Sequence, residues 1–176
     1  IWRGNYNAIA NCNHILDNID EKKGIFSSGV YETVKAEAMA LRGFLHFDVL
    51  RGFAPSYLRG ANEAAIPYVE KVTNEPVAQL TVAEVIDKVI SDVETARKLI
   101  KEVDPIGPSF DSYTEQGYET EDYIQGDGFW LYRKSRLNYY GMTALLARVY
   151  LYKGDKTKAL DGAKEGIDAE MFTLLE

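Results

Sequence analysis

Cysteine occurs once in 176 residues, at Cys12, and histidine twice, at His14 and His46. A single thiol excludes an intramolecular disulfide and a thiolate zinc cluster. The two histidines stand apart, with no cysteine or carboxylate pair at a metal-ligand spacing beside them, so they imply neither a metal centre nor a catalytic constellation, and no cofactor is expected. Long apolar runs are also missing: stretches such as 144–147 fall far short of the roughly 20 residues that cross a bilayer. Positive charge is scarce as well, with 20 Lys and Arg against 27 Asp and Glu. A net charge of −7 repels a phosphate backbone, which argues against nucleic acid as a partner.

What is present is 46% hydrophobic and 27% charged residues, enough for a single domain over residues 1–176 with one sizeable core. Residue 1 is Ile, and Trp2, Tyr6 and Ile9 already stand at helical spacing. The sequence is therefore read as a fragment of a longer chain, any signal peptide or lipid-anchor cysteine lying upstream of Ile1.

Periodicity predicts five principal helices. In residues 2–19, Trp2, Tyr6, Ile9, Asn13, Leu16 and Ile19 form one inward stripe. In residues 31–53, Val34, Ala38, Leu41, Leu45 and Val49 form a second, widened by Phe44, Phe47 and Leu50. Pro55, Gly60, Pro67 and Pro76 mark residues 54–80 as an ordered connection, with a short extended piece at 66–69. Thr81 followed three residues later by Glu84 is a capping box, opening a helix that ends near Val103. Two more helices are expected at 136–152 and 156–167. Residues 104–128 hold seven carboxylates (Asp104, Asp111, Glu115, Glu119, Glu121, Asp122, Asp127) and no Lys or Arg. The other 20 acidic residues balance the 20 basic ones, so the net charge sits wholly in this insertion. No useful stretch alternates strictly, so the fold class is all-α.

The last helix pair fits the tetratricopeptide pattern: Leu146 and Ala147, then Tyr150, Gly154 at the turn and Ala159. Gly166 and Met171 depart from it. Small residues at Ala147, Ala159 and Ala163 are expected to let the two helices approach closely, with Tyr150 filling the gap to the next hairpin. Beyond this generic repeat, Trp2-Arg3-Gly4-Asn5-Tyr6-Asn7-Ala8-Ile9-Ala10-Asn11-Cys12-Asn13-His14-Ile15-Leu16 is similar to the opening helix of the SusD/RagB family. Residues 37–55, around Leu41-Arg42-Gly43-Phe44, resemble that family's next helix, with Gly43 and Ala54 where it more often has Ala and Gly. Ile66-Pro67 with the helix from Leu80, and Ser135-Arg136-Leu137-Asn138 leading to Leu145-Leu146-Ala147-Arg148-Val149-Tyr150, complete the ordered match. The resemblance implies tetratricopeptide-like, SusD-like helical hairpins joined by long irregular connections.

It also implies a function: a non-catalytic, surface-exposed outer-membrane lipoprotein that binds oligosaccharide or polysaccharide for a TonB-dependent, SusC-like transporter. Its membrane contact would run only through a lipid anchor outside these residues. In such proteins aromatic faces stack on sugar rings. The rings here cluster at Tyr113, Tyr118, Tyr123, Phe129, Trp130 and Tyr132, with Asp122, Gln125 and Asp127 as hydroxyl acceptors. Trp130, Tyr132, Tyr123, Tyr118 and Asp127 are the candidate glycan-binding residues. The same interleaving also fits a long loop pinned to the helices, and both readings stand. Trp2 is assigned to the core, Arg42, Arg136 and Arg148 to carboxylate or helix-end partners, and Asn11 and Asn13 to hydrogen bonds within the packing. The acidic insertion offers carboxylates for glycoside hydrolysis but no readable separation between them. Gly126-Asp127-Gly128 lacks the ligand run of a calcium loop. The alternative function is a tetratricopeptide-type protein-interaction scaffold with no sugar binding.

Overall fold

A computed structural model describes residues 1–109, 128–130 and 132–172. Its helices are α1 (Trp2–Ile19), α2 (Val30–Phe53), the single turn α3 (Tyr57–Gly60), α4 (Val82–Ile100), α5 (Tyr139–Lys153) and α6 (Lys156–Asp168). Two short strands, β1 (Ala64–Pro67) and β2 (Gln79–Thr81), pair antiparallel with Ala64 opposite Thr81 and Pro67 opposite Gln79. The all-α expectation holds, this small sheet being its one departure among the described residues.

Local chemistry sets the boundaries. Gly29 precedes α2 at φ 77, a left-handed conformation that glycine adopts without steric cost. A Cβ there would also meet Val103 at 3.3 Å and the Trp130 ring at 3.4 Å. Ala54, ahead of Pro55, is extended and ends α2. The capping box opens α4 as expected: Thr81 N donates to Glu84 Oε2 at 2.8 Å, and Glu84 N donates to Thr81 Oγ1 at 3.2 Å. These bonds hold the Glu84 carboxyl below its usual range. α5 starts three residues later than the pattern suggests, because Asn138 accepts from Gly141 N at 2.8 Å and caps it. α5 ends at Gly154, φ 90, where Gly154 N and Asp155 N bond back to Leu151 O and Tyr150 O in a Schellman turn.

Each long helix packs chiefly on its neighbours in sequence: α1 on α2, α2 on α4, α4 on α5 and α5 on α6. Phe47 and Leu50 of α2, Ile66 of β1, Val85, Ile86, Val89 and Val93 of α4, and Met142 and Val149 of α5 make a continuous buried core. Gly162 rather than Ala163 brings the last hairpin together, since a Cβ at Gly162 would lie 3.2 Å from that of Ala147. Ala163 is exposed. Three other expectations fail in the same way. Trp2 is 39% exposed and Leu41 41% exposed, while Asn11 faces solvent. On α2 the inward positions next to Leu41 belong instead to Arg42 and His46, both buried. Among the described residues, no helix is long and apolar enough to cross a membrane.

Arg42 and His46 organise a polar cluster that joins three helices. Arg42 Nε and Nη2 each donate to the Asp92 carboxylate of α4 at 2.7 Å, and Nη1 donates to Asn13 Oδ1 of α1 at 3.1 Å. Tyr68 OH donates to Asp92 Oδ2 at 2.6 Å. His46 stacks on the Tyr68 ring at 3.8 Å. Its Nε2 accepts from Val69 N at 3.0 Å, so Nδ1, 2.8 Å from Arg42 O, carries the proton and the ring is neutral. Burial pushes the His46 pKa from 6.5 down to about 4. The unfolded chain thus binds a proton near pH 6.5 that the folded chain refuses until about pH 4. Stability from this group is complete above about pH 6.5 and falls by about 3 kcal/mol as the pH drops to about 4, at 1.36 kcal/mol per pKa unit. An NMR titration checks this: the His46 ring should hold its neutral shifts through pH 5, and a midpoint near 6.5 would refute it.

Candidate functional site

The described chain leaves α4 through a turn at Asp104 and re-enters at Gly128, leading to Trp130, Tyr132 and the short 3-10 turn Arg133–Ser135 before α5. One buried ion cluster ties these two ends together. Arg133 Nη2 donates to Asp104 Oδ2 at 2.9 Å and its Nε to Oδ1 at 3.2 Å, with both side chains wholly buried. Asp104 Oδ2 also accepts from Tyr139 N at 2.8 Å, so this carboxylate satisfies a free amide in the first turn of α5. Its Oδ1 accepts from Ile106 N at 3.1 Å. Glu37 of α2 pairs with Arg133 through one oxygen and with Arg136 Nη2 at 2.6 Å through the other. Arg136 Nη1 then reaches Phe129 O at 2.6 Å, and its guanidinium lies 4.5 Å from the Phe129 ring centroid.

This cluster fixes the segment that carries two of the expected site residues. Trp130 is half-buried, its ring edge over Gly29 at the start of α2 and 5.0 Å from the Phe129 ring in an edge-on contact. Tyr132 is 82% exposed and sits at φ 56, a left-handed conformation that costs a bulky L-residue about 1 kcal/mol or more. The ring itself lies open to solvent. Tyr118, Tyr123 and Asp127, with Tyr113, Asp122 and Gln125, lie outside the described residues.

Beside this segment runs a groove of about 780 Å³ between α5 and α6. Small residues at Ala144, Ala147, Gly162 and Gly166 make its floor, Tyr140 and Phe172 add rings, and Lys134 and Arg136 stand at one end. Sequence reasoning found the rings and Arg136 but missed Arg133, Asp104 and Glu37. Arg133 and Arg136 precede the start of α5 as a visible pair, yet nothing local names their carboxylates. Glu37 and Asp104 are both committed to guanidinium groups, so the arrangement can hold and display rings. Among the described residues, no group of three or more His, Cys, Asp or Glu is placed to hold a metal ion.

Comparison with known proteins bears on this architecture. Residues 1–106 match the SusD-like family described as starch-binding, associating with outer membrane. A SusD superfamily protein from Bacteroides vulgatus ATCC 8482 is 28% identical, with a TM-score of 0.71 over 97% of this chain and 34% of its own. A SusD superfamily protein from Bacteroides thetaiotaomicron VPI-5482 shares the fold at 24% identity and TM-score 0.74, over 99% of this chain and 33% of its own. Surface glycan-binding protein A from Bacteroides uniformis shares it at 21% identity and TM-score 0.66, over 99% and 32%. The chain thus spans about a third of the length of these structures. No curated protein matches the sequence. With more than half of its residues covered by the family match and its helical array shared with these structures, the chain belongs to the SusD-like family.

Proposed function

We propose that this chain is part of a non-catalytic glycan-capture protein at the outer-membrane surface, anchored by lipid, that hands oligosaccharide to a TonB-dependent, SusC-like transporter. The family match over residues 1–106 carries this reading. The name of the Bacteroides uniformis relative, a surface glycan-binding protein, agrees with it. The geometry adds support: an exposed Tyr132 ring at a strained backbone position, beside a half-buried Trp130, suits stacking on sugar faces. Tyr118, Tyr123 and Asp127 complete the proposed contact set from the sequence alone.

Titration calorimetry of the whole protein that contains this chain, against plant, host and microbial polysaccharides, tests it. One glycan class should bind, and Tyr132→Ala and Trp130→Ala should each weaken it about three- to tenfold, the loss of one aromatic contact. Tyr132 is so exposed that its variant leaves the fold untouched. Binding unchanged in both variants would move the site elsewhere. Silence across the panel would favour the protein-scaffold reading.

A further inference from the structure

Two arginines precede α5, and their surroundings give them different work. Arg133 is wholly enclosed, and with Asp104 and the first turn of α5 it belongs to the frame. The Arg136 side chain is 30% exposed and reaches the other way. Its Nη1 donates to Phe129 O at 2.6 Å, and its guanidinium lies 4.5 Å from the centroid of the same residue's ring. One planar group thus holds Phe129 by its backbone and by its side chain. The Nη2 of Arg136 donates to Glu37 Oε2 at 2.6 Å, so the guanidinium is itself tethered to α2. Phe129 in turn meets Trp130 edge-on at 5.0 Å, and Tyr132 O accepts from Ser135 N at 2.9 Å.

We propose that Arg136, braced by Glu37, is a positioning residue, which sets where the rings of Phe129, Trp130 and Tyr132 stand without touching what they bind. The contacts above carry the positioning, and its consequence for binding rests on the capture reading. A guanidinium presents its donors in a rigid fork and can hold two acceptors at a fixed angle. Here the acceptors are a carbonyl of the ring segment and a carboxylate of another helix. A lysine in its place would supply the charge but not the fork. Glu37 gives one oxygen to each arginine, so a single α2 side chain serves both the frame and the ring segment. Rings already fixed in place need no further ordering when a ligand stacks on them, and that saved ordering is affinity.

The test uses the whole protein that contains this chain, labelled with fluorotryptophan. The fluorine NMR signal that disappears in Trp130→Phe belongs to Trp130, whatever other tryptophans the protein holds. In Arg136→Gln that signal should shift or broaden while the urea midpoint stays close to that of wild type, because Glu37 keeps Arg133 as its partner. Arg136→Lys should displace the signal less. Calorimetry with maltoheptaose, laminarihexaose and xylohexaose should show the sugar that binds weakened about three- to tenfold in Arg136→Gln, the cost of ordering a loosened ring on binding. An unmoved Trp130 signal overturns the proposal. So does a urea midpoint that falls as far as that of Asp104→Ala, which would make Arg136 part of the frame. A moved signal with affinity intact, where Trp130→Ala does weaken binding, overturns it as well. If no sugar binds, or if Trp130→Ala leaves binding unchanged, that result counts against these rings as the capture site, while the fluorine signal still decides whether Arg136 positions them.

Discussion

Asp104→Ala should lower the unfolding free energy by about 3–5 kcal/mol, the cost of stranding a buried charge by removing its partner. Arg133 is fully enclosed and among the described residues would keep Glu37 alone as a counter-charge, while Tyr139 N and Ile106 N would lose their acceptor. Urea melts read this directly. Two further variants separate charge from cap. Asp104→Asn keeps an acceptor for one amide but drops the charge, and should fall between wild type and Asp104→Ala. Asp104→Leu with Arg133→Met removes both charges and should recover much of the loss, because replacing a buried ion pair with apolar side chains is often near neutral. A loss under about 1 kcal/mol for Asp104→Ala would mean that the clamp is dispensable.

Asp92→Ala is the second large effect, again about 3–5 kcal/mol, because one carboxylate there serves two Arg42 nitrogens and the Tyr68 hydroxyl. Burial first, then the charge of Asp92, raises the Tyr68 hydroxyl far above its ordinary range, so it stays protonated and remains a donor. Tyr68→Phe removes that one charge-assisted bond and should cost less, about 1.5–3 kcal/mol. The ranking is the test. If Tyr68→Phe, which keeps the ring stacked on His46, proved as damaging as Asp92→Ala, the hydroxyl bond rather than the Arg42 ion pair would be what holds the cluster together.

The helices were legible wherever a local rule governed them. The stripes of α1, α2 and α4 and the Thr81–Glu84 box each depend on residues three or four apart, a distance that periodicity reads well. Asn138 shows the limit: the apolar pattern continues through Leu137, but a side-chain cap decides where α5 begins. Trp2 and Leu41 lie on their stripes yet face water, because a stripe gives a direction and not the place where the neighbouring helix stops. Non-local partners were invisible. Arg42 was expected to meet a carboxylate, but Asp92 lies 50 residues away, and the Asp104 that holds Arg133 lies 29 residues before it. The same applies to the candidate site. Aromatic composition pointed to Trp130 and Tyr132, whereas the cluster that fixes their position depends on three segments meeting in space.

The ion cluster at the two ends of the acidic insertion has a consequence for how this protein can diversify. Asp104 and Arg133 close the stem on α2 and α5 through residues outside 110–127. For a flexible chain joining two ends fixed in this way, doubling its length costs only about 0.6 kcal/mol in closure entropy. The described contacts of the stem thus lie on residues that an exchange within that gap leaves in place. A different segment could be exchanged there, and new ligand preferences acquired, while the helices keep their packing.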